Sequence, residues 1–180
     1  TALPSILEIL AKNYNNRNEK AYLYELAREY IPTTDDKLPI EKNKLIGGFY
    51  GLPDFFELKG IVEETLDRLS IYDYDVEASA DEFAYHPGRC AVLTIDGERI
   101  GVFGELHPQV AENYGIGERV YAFELEADLL FKYTKSEKQY TPLPKFPAVT
   151  RDIAVICDEN IPVLTLEKAM KKSAGSTLES

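Results

Sequence analysis

The segment from His86 to Pro108, HPGRCAVLTIDGERIGVFGELHP, leaves this chain the least freedom. Asp96-Gly97 separates two apolar runs, and that pair suits a two-residue type I′ turn, in which both central residues take φ > 0. A β-hairpin is therefore expected. Before the turn, Cys90, Val92 and Thr94 fall on one face and Ala91, Leu93 and Ile95 on the other. Neither face is strongly polar, so this strand is expected to be buried on both sides. After the turn, Ile100, Val102 and Leu106 are expected to share one face. Gly101 and Gly104 lie inside the second strand, where a glycine marks a bulge or a close backbone approach. A His-Pro pair stands at each end, and these pairs hold the only two histidines of the chain.

A strand buried on both faces needs helices to cover it, and the flanking sequence supplies them. Leu3, Ile6, Leu7 and Leu10 make a helical stripe over residues 3–14, with Pro4 suited to the first turn. Residues 21–31 alternate as a strand ended by Pro32. A polar loop is expected through Lys44, then a short strand over Leu45 to Leu52 that pairs antiparallel with the first. Asp54 with Glu57 reads as a capping box opening a helix. Phe55, Leu58, Ile61, Val62, Leu66 and Leu69 form its stripe, and Gly60 within it suggests close packing against a neighbour. Residues 72–78 read as a strand. After the hairpin come a short helix from Pro108 to Tyr114 stopped by Gly115, a strand over 119–125 and a short helix over 127–133. Lys135 to Lys145, with Pro142 and Pro144, has linker chemistry. Beyond it, residues 153–157 suit a strand, and 162–173 a helix with Leu164, Leu166, Ala169 and Met170 inward.

Composition narrows the function classes. Hydrophobic residues make up 44% of the 180, enough for a core. The formal net charge of −11 argues against broad nucleic-acid binding, which needs Lys and Arg at the phosphates. Residues 141–180 are balanced in charge, so the whole excess rests on residues 1–140. Cys90 and Cys157 lie in apolar runs and are expected to be buried free thiols. No apolar run approaches the roughly 20 residues needed to span a membrane, and Thr1-Ala2-Leu3, which leads directly into a helix pattern, is not expected to be a signal peptide. The chain is expected to be cut from a longer one at both ends.

Candidate chemistry centres on the hairpin. His86, Glu105 and His107, with Cys90 nearby, offer the donor types of a zinc site, but their spacing matches no strong metal signature. A Cys-His nucleophile pair would need an exposed, acidified thiol, which a buried strand does not provide. The structural reading assigns each imidazole to neighbouring backbone groups and pairs Arg89 with a carboxylate such as Glu105. GGFYG at 47–51 lacks phosphate-loop spacing. The Tyr-rich strand at 22–30 could stack on bases, but its acidic setting favours core and interface packing. No catalytic, cofactor-binding or metal residue is assigned.

Several blocks in order carry a resemblance. HPGRCAVL, a DG turn and IGVFGELHP resemble the β-subunit family of bacterial phenylalanyl-tRNA synthetases. LPSILEILAKNYNN is similar to a helix of that family, LYELAREYIP to its LFEIGRVF-type strand, and DFFELKGIVEETL to its (F/W)DFFD-KG-VE-LL helix, with Gly60 matched. VYAFELE follows in order. FPAVTRDIAVICDENIP resembles the start of the family's ferredoxin-like anticodon-binding domain, with Phe146, Arg151 and Asp152 in its opening pattern. The resemblance implies an α+β fold, an antiparallel sheet flanked by helices as in class II synthetases. It implies a non-catalytic core domain over 1–134, a linker over 135–145, and the beginning of the ferredoxin-fold domain over 146–180, together a C-terminal piece of the β subunit. In that family the α subunit holds ATP, with its Mg²⁺, the phenylalanine and the 3′ end of the tRNA. The β copy packs against α in a cytoplasmic (αβ)₂ heterotetramer that charges tRNA(Phe). The family's editing and metal-binding residues lie in other domains, so none transfers here. The alternatives are a stand-alone protein-interaction module of the same fold, and a metallo-hydrolase using His86, Glu105 and His107.

Overall fold

The computed structural model describes residues 2–33, 38–51, 54–135, 149–175 and 178. The chain divides into two units, Thr1–Lys138 and Gln139–Ser180. The first is built on a six-stranded, wholly antiparallel sheet. In chain order its elements are α1 (Leu3–Asn15), β1 (Ala21–Ile31), β2 (Ile40–Tyr50), α2 (Phe55–Arg68), β3 (Asp75–Ala78), β4 (Tyr85–Ile95), β5 (Glu98–Leu106), α3 (Pro108–Asn113), β6 (Val120–Glu126) and α4 (Ala127–Tyr133). Across the sheet the strands run β1-β2-β6-β5-β4-β3.

Strand alternation sends side chains to two separate cores. On the first face, Leu3, Ile6, Leu7 and Leu10 of α1 and Ala111 of α3 pack on Ile46, Tyr50, Cys90, Val102, Leu106, Val120 and Ala122. On the second, Leu58, Val62 and Leu66 of α2 and Leu130 of α4 pack on Phe49, Ala91, Leu93, Ile95, Phe103, Tyr121, Phe123 and Leu125. Cys90 and Ala91, adjacent in sequence, thus serve opposite cores, which bears out a β4 covered on both sides. Truncating Leu58 or Leu66, both fully buried, is a change of the kind that costs about 2–5 kcal/mol.

The hairpin turn has Asp96 at φ 51° and Gly97 at φ 77°, both in the region a type I′ turn requires. Beyond it the register slips. Leu93 faces Gly101 but Thr94 faces Arg99, which leaves Ile100 as an extra residue. That bulge corrects the expectation that Ile100, Val102 and Leu106 share one face. Ile100 joins Phe103 and Leu125 in the second core while Val102 and Leu106 serve the first. A second slip sits at the other end, where Tyr85 faces Leu106 and Cys90 faces Gly104. His86 to Arg89 therefore stand opposite Glu105 alone. Both glycines mark close approaches. A Cβ on Gly101 would lie 2.9 Å from Leu125 Cα, and one on Gly104 2.8 Å from Cys90 Cα.

Two further expectations change in this unit. The second strand starts at Ile40, five residues before Leu45, because the polar stretch Ile40–Lys44 pairs in register with Ala27–Ile31; Leu52, expected at its end, lies outside the described residues. Gly60 is exposed, and a Cβ there would meet nothing within 4 Å, so no neighbour requires it. Gly48, by contrast, could not carry a Cβ without coming within 2.9 Å of Ile6 and Leu10. Helix α2 starts as expected: the Asp54 carboxylate accepts from the N–H groups of Phe56 (2.8 Å) and Glu57 (3.1 Å). Helix α4 is tied to the sheet where Asp128 accepts from the Asn43 backbone N–H (3.0 Å) and side-chain amide (2.8 Å). Those bonds hold the Asp128 carboxyl below its ordinary pKa.

In the second unit, α5 spans Val163–Ala174. None of its residues is buried: Leu164 and Leu166 are half-buried, Ala169 and Met170 exposed. Residues 153–157 are irregular and exposed rather than a strand. A strand needs a partner to pair with, and an apolar helix face needs a sheet to cover it. Cys157, expected to be buried, is exposed in the same stretch. Phe146 and most of the expected linker lie outside the described residues. Among the described residues no helix is long and apolar enough to cross a membrane.

Candidate functional site

The bulge of His86 to Arg89 brings the expected charge pair together. Arg89 Nη2 donates to Glu105 Oε1 at 3.0 Å, and Arg89 Nε lies 2.6 Å from Glu105 Oε2. Arg119 Nε approaches the same carboxylate at 3.9 Å. Glu105 is only 3% exposed, a charge that could not be held there without such partners. The imidazoles are occupied locally. His86 Nδ1 accepts from the Gly88 N–H at 3.0 Å, and His107 Nδ1 accepts from the Gln109 N–H at 3.2 Å, capping α3. Among the described residues, no three His, Cys, Asp or Glu side chains gather as a metal site would require. Burial, with the Glu82 carboxylate adding to it, pushes the Cys90 thiol up to about 12, the opposite of what a nucleophilic cysteine needs.

The first face carries a cavity of about 350 Å³, with apolar walls that include Leu3, Leu7, Val102, Val110 and Tyr114. Its polar groups are paired with one another. Tyr85 Oη donates to Glu124 Oε1 at 3.2 Å, and both burial and that carboxylate raise the phenol well above its ordinary pKa. Arg99 Nη1 lies 2.8 Å from Glu82. Lys44 Nζ lies 3.3 Å from Glu126 and 3.5 Å from Glu29. Burial alone would lower the Lys44 pKa, but Glu126, Glu29 and Glu124 overcome it and hold the ammonium above its usual value. Lys44 and Arg99 are thus already answered by carboxylates, and a polyphosphate entering here would meet net repulsion.

A different surface stands out on β1. It is the outermost strand on its side, and its eleven-pair register with β2 contains no bulge. Tyr22, Tyr24, Leu26 and Tyr30 project from one face of it, all exposed, with Tyr24 at 80%. The Tyr22 ring lies 6.0 Å from Phe49, which places this row on the second face. Long regular edges are usually blunted by prolines, bulges or charge, and exposed aromatic rows of this kind are what protein interfaces cover. The sequence pointed to interface use of these tyrosines but left core packing equally open; the structure exposes them. The sequence did not single out Tyr85, which lay outside the strands it predicted although β4 begins there, nor Tyr121 and Glu124, which read only as members of the strand over 119–125.

A six-stranded antiparallel sheet with helices on both faces is the class II aminoacyl-tRNA synthetase architecture. Two solved structures of pyrrolysyl-tRNA synthetase from Desulfitobacterium hafniense superpose with TM-scores of 0.60 and 0.59, at 10% and 12% identity. Each alignment covers 73% of this chain and just under half of the other. At such identity the likeness is one of fold. Within that class, residues 1–127 match the model of the phenylalanyl tRNA synthetase beta chain CLM domain, and the chain belongs to that family. It is 41% identical over its whole length to the phenylalanine–tRNA ligase beta subunit of Clostridium acetobutylicum. It is 41% identical to that of Clostridium tetani and 31% to that of Bacillus subtilis, over 99% and 98% of its length. The chain spans 23% of the length of each of these relatives.

Proposed function

We propose that this chain is a non-catalytic scaffold and subunit-interface module of a phenylalanine–tRNA ligase β subunit, acting in the cytoplasm. The parent enzyme attaches phenylalanine to its tRNA using ATP and Mg²⁺. The partner of this module is the α subunit, which carries the substrates, within an (αβ)₂ assembly. Residues 146–180 begin the tRNA-binding domain.

The observation that carries this reading is the uncovered row Tyr22, Tyr24, Leu26 and Tyr30 on a regular edge strand. A row like this is costly to leave in water and offers both apolar area and unpaired backbone groups to a partner. The carboxylate-matched cavity on the first face supports the non-catalytic part, since its cations are not available to a triphosphate.

The reading is tested in the full-length β subunit carrying Tyr24→Arg and Leu26→Arg. Both sites are exposed, so the fold should survive, as circular dichroism would verify. Assembly with α should fail, and tRNA phenylalanylation with it. Unchanged assembly would contradict the proposal. The isolated chain should show no phenylalanine-dependent pyrophosphate exchange.

A further inference from the structure

The second face holds another cavity, of about 470 Å³, between the start of α2, the bulge of β4 and the start of β6. Its apolar walls include Phe55, Phe56, Val76, Ala91 and the Tyr121 ring. Tyr121 is fully buried, and its hydroxyl has no hydrogen-bond partner among the described residues. A buried hydroxyl left in that state costs about 1–3 kcal/mol, and buried polar groups are otherwise almost always satisfied. The tyrosine thus carries a donor that the fold itself does not use.

The charged groups around this cavity differ in how far they are committed. Arg89 is held by Glu105, Lys59 pairs with Glu63, and Asp54 caps α2. Arg119 is 62% exposed and meets Glu105 only at 3.9 Å. Its guanidinium is therefore the cation best able to turn to an incoming anion. Apolar walls with a few polar groups that fix orientation are the usual make-up of a small-molecule site. We propose that this cavity binds a compact organic carboxylate. The apolar body rests against Phe55, Phe56 and Ala91, while the carboxylate accepts a hydrogen bond from Tyr121 Oη and pairs with Arg119. This site is on the opposite face from the carboxylate-matched cavity, and none of the β1 row lines it.

The test uses naphthoate as the probe and its neutral amide, naphthamide, as the control, titrated into the ¹⁵N-labelled chain and followed by NMR. Saturable shifts are expected at the amides around Ala91, Arg119 and Tyr121. Tyr121→Phe removes only the unused hydroxyl, so the free variant should melt no lower than the parent. It should bind naphthoate more weakly by about 10-fold or more, as the loss of a hydrogen bond to a charged acceptor does. Arg119→Gln should weaken naphthoate by about 10-fold or more, as a lost charge-assisted bond does, and leave naphthamide unchanged. Three results would overturn the proposal: no saturable shifts at millimolar probe, equal binding of naphthamide, or naphthoate binding indifferent to Tyr121→Phe. A lower melting temperature for free Tyr121→Phe would also overturn it, by showing that the hydroxyl already has a structural partner.

Discussion

Replacing Arg89 by Met should destabilise the first unit more than replacing Glu105 by Gln, although both changes break the same pair. The reason is where each charge is left. Without Arg89, the Glu105 carboxylate stays at 4% side-chain exposure with only Arg119, 3.9 Å away, to answer it. Breaking a buried pair in this way typically costs about 3–5 kcal/mol. Arg89 itself is 38% exposed and Arg119 remains, so we place the loss at the lower end, about 3 kcal/mol. Without the Glu105 charge, Arg89 can turn to water, and Gln still offers an acceptor, so the loss should be about 1 kcal/mol. The double substitution should be milder than Arg89→Met alone, because a neutral amide costs less to bury than a charge. Urea denaturation followed by circular dichroism measures all three. The Arg89→Met loss corresponds to a fall in Tm of about 6–12 °C for a chain of this size. The reasoning fails if Glu105→Gln costs as much as Arg89→Met, or if the double variant loses the sum of the two.

Two further outcomes follow from the packing. Gly60→Ala should stabilise the chain by up to about 1 kcal/mol, since it sits inside α2 with open space where a Cβ would go; a loss of stability in a thermal melt would show that the exposed glycine is needed. In the native chain near pH 8, a thiol reagent should label Cys157 quickly and Cys90 only after denaturation, because Cys157 is exposed while Cys90 is buried with its thiol at about 12. Equal labelling of both in the folded state would contradict the two-core arrangement around β4.

Much of the sheet was legible in the sequence because local chemistry and tertiary fold agree there. Asp96-Gly97 admits few turns, Asp54 is placed to cap α2, and the stripe of Leu3, Ile6, Leu7 and Leu10 can only be a helix face. The failures are places where a distant partner decides. Ile40–Lys44 is too polar to read as strand, yet its pairing with Ala27–Ile31 makes it one. Ile100 follows the simple alternation in sequence, and the bulge that turns it over depends on the register with β4. Residues 153–157 have strand composition but no strand to pair with among the described residues. At the hairpin, the sequence brought Arg89 and Glu105 together and gave the imidazoles to the backbone, both as found. Tyr121 escaped notice because nothing in VYAFELE distinguishes a tyrosine with an unused hydroxyl from one that is merely apolar.

The central claim, that this chain is an interface module, is tested most directly by mixing it with the α subunit of the same ligase and measuring the mass of the product. Size-exclusion chromatography with light scattering reads that mass without labels. The account predicts a stable complex of defined stoichiometry, lost when Tyr24 and Leu26 are both replaced by Arg. A folded chain that elutes at its own mass beside free α subunit would contradict it.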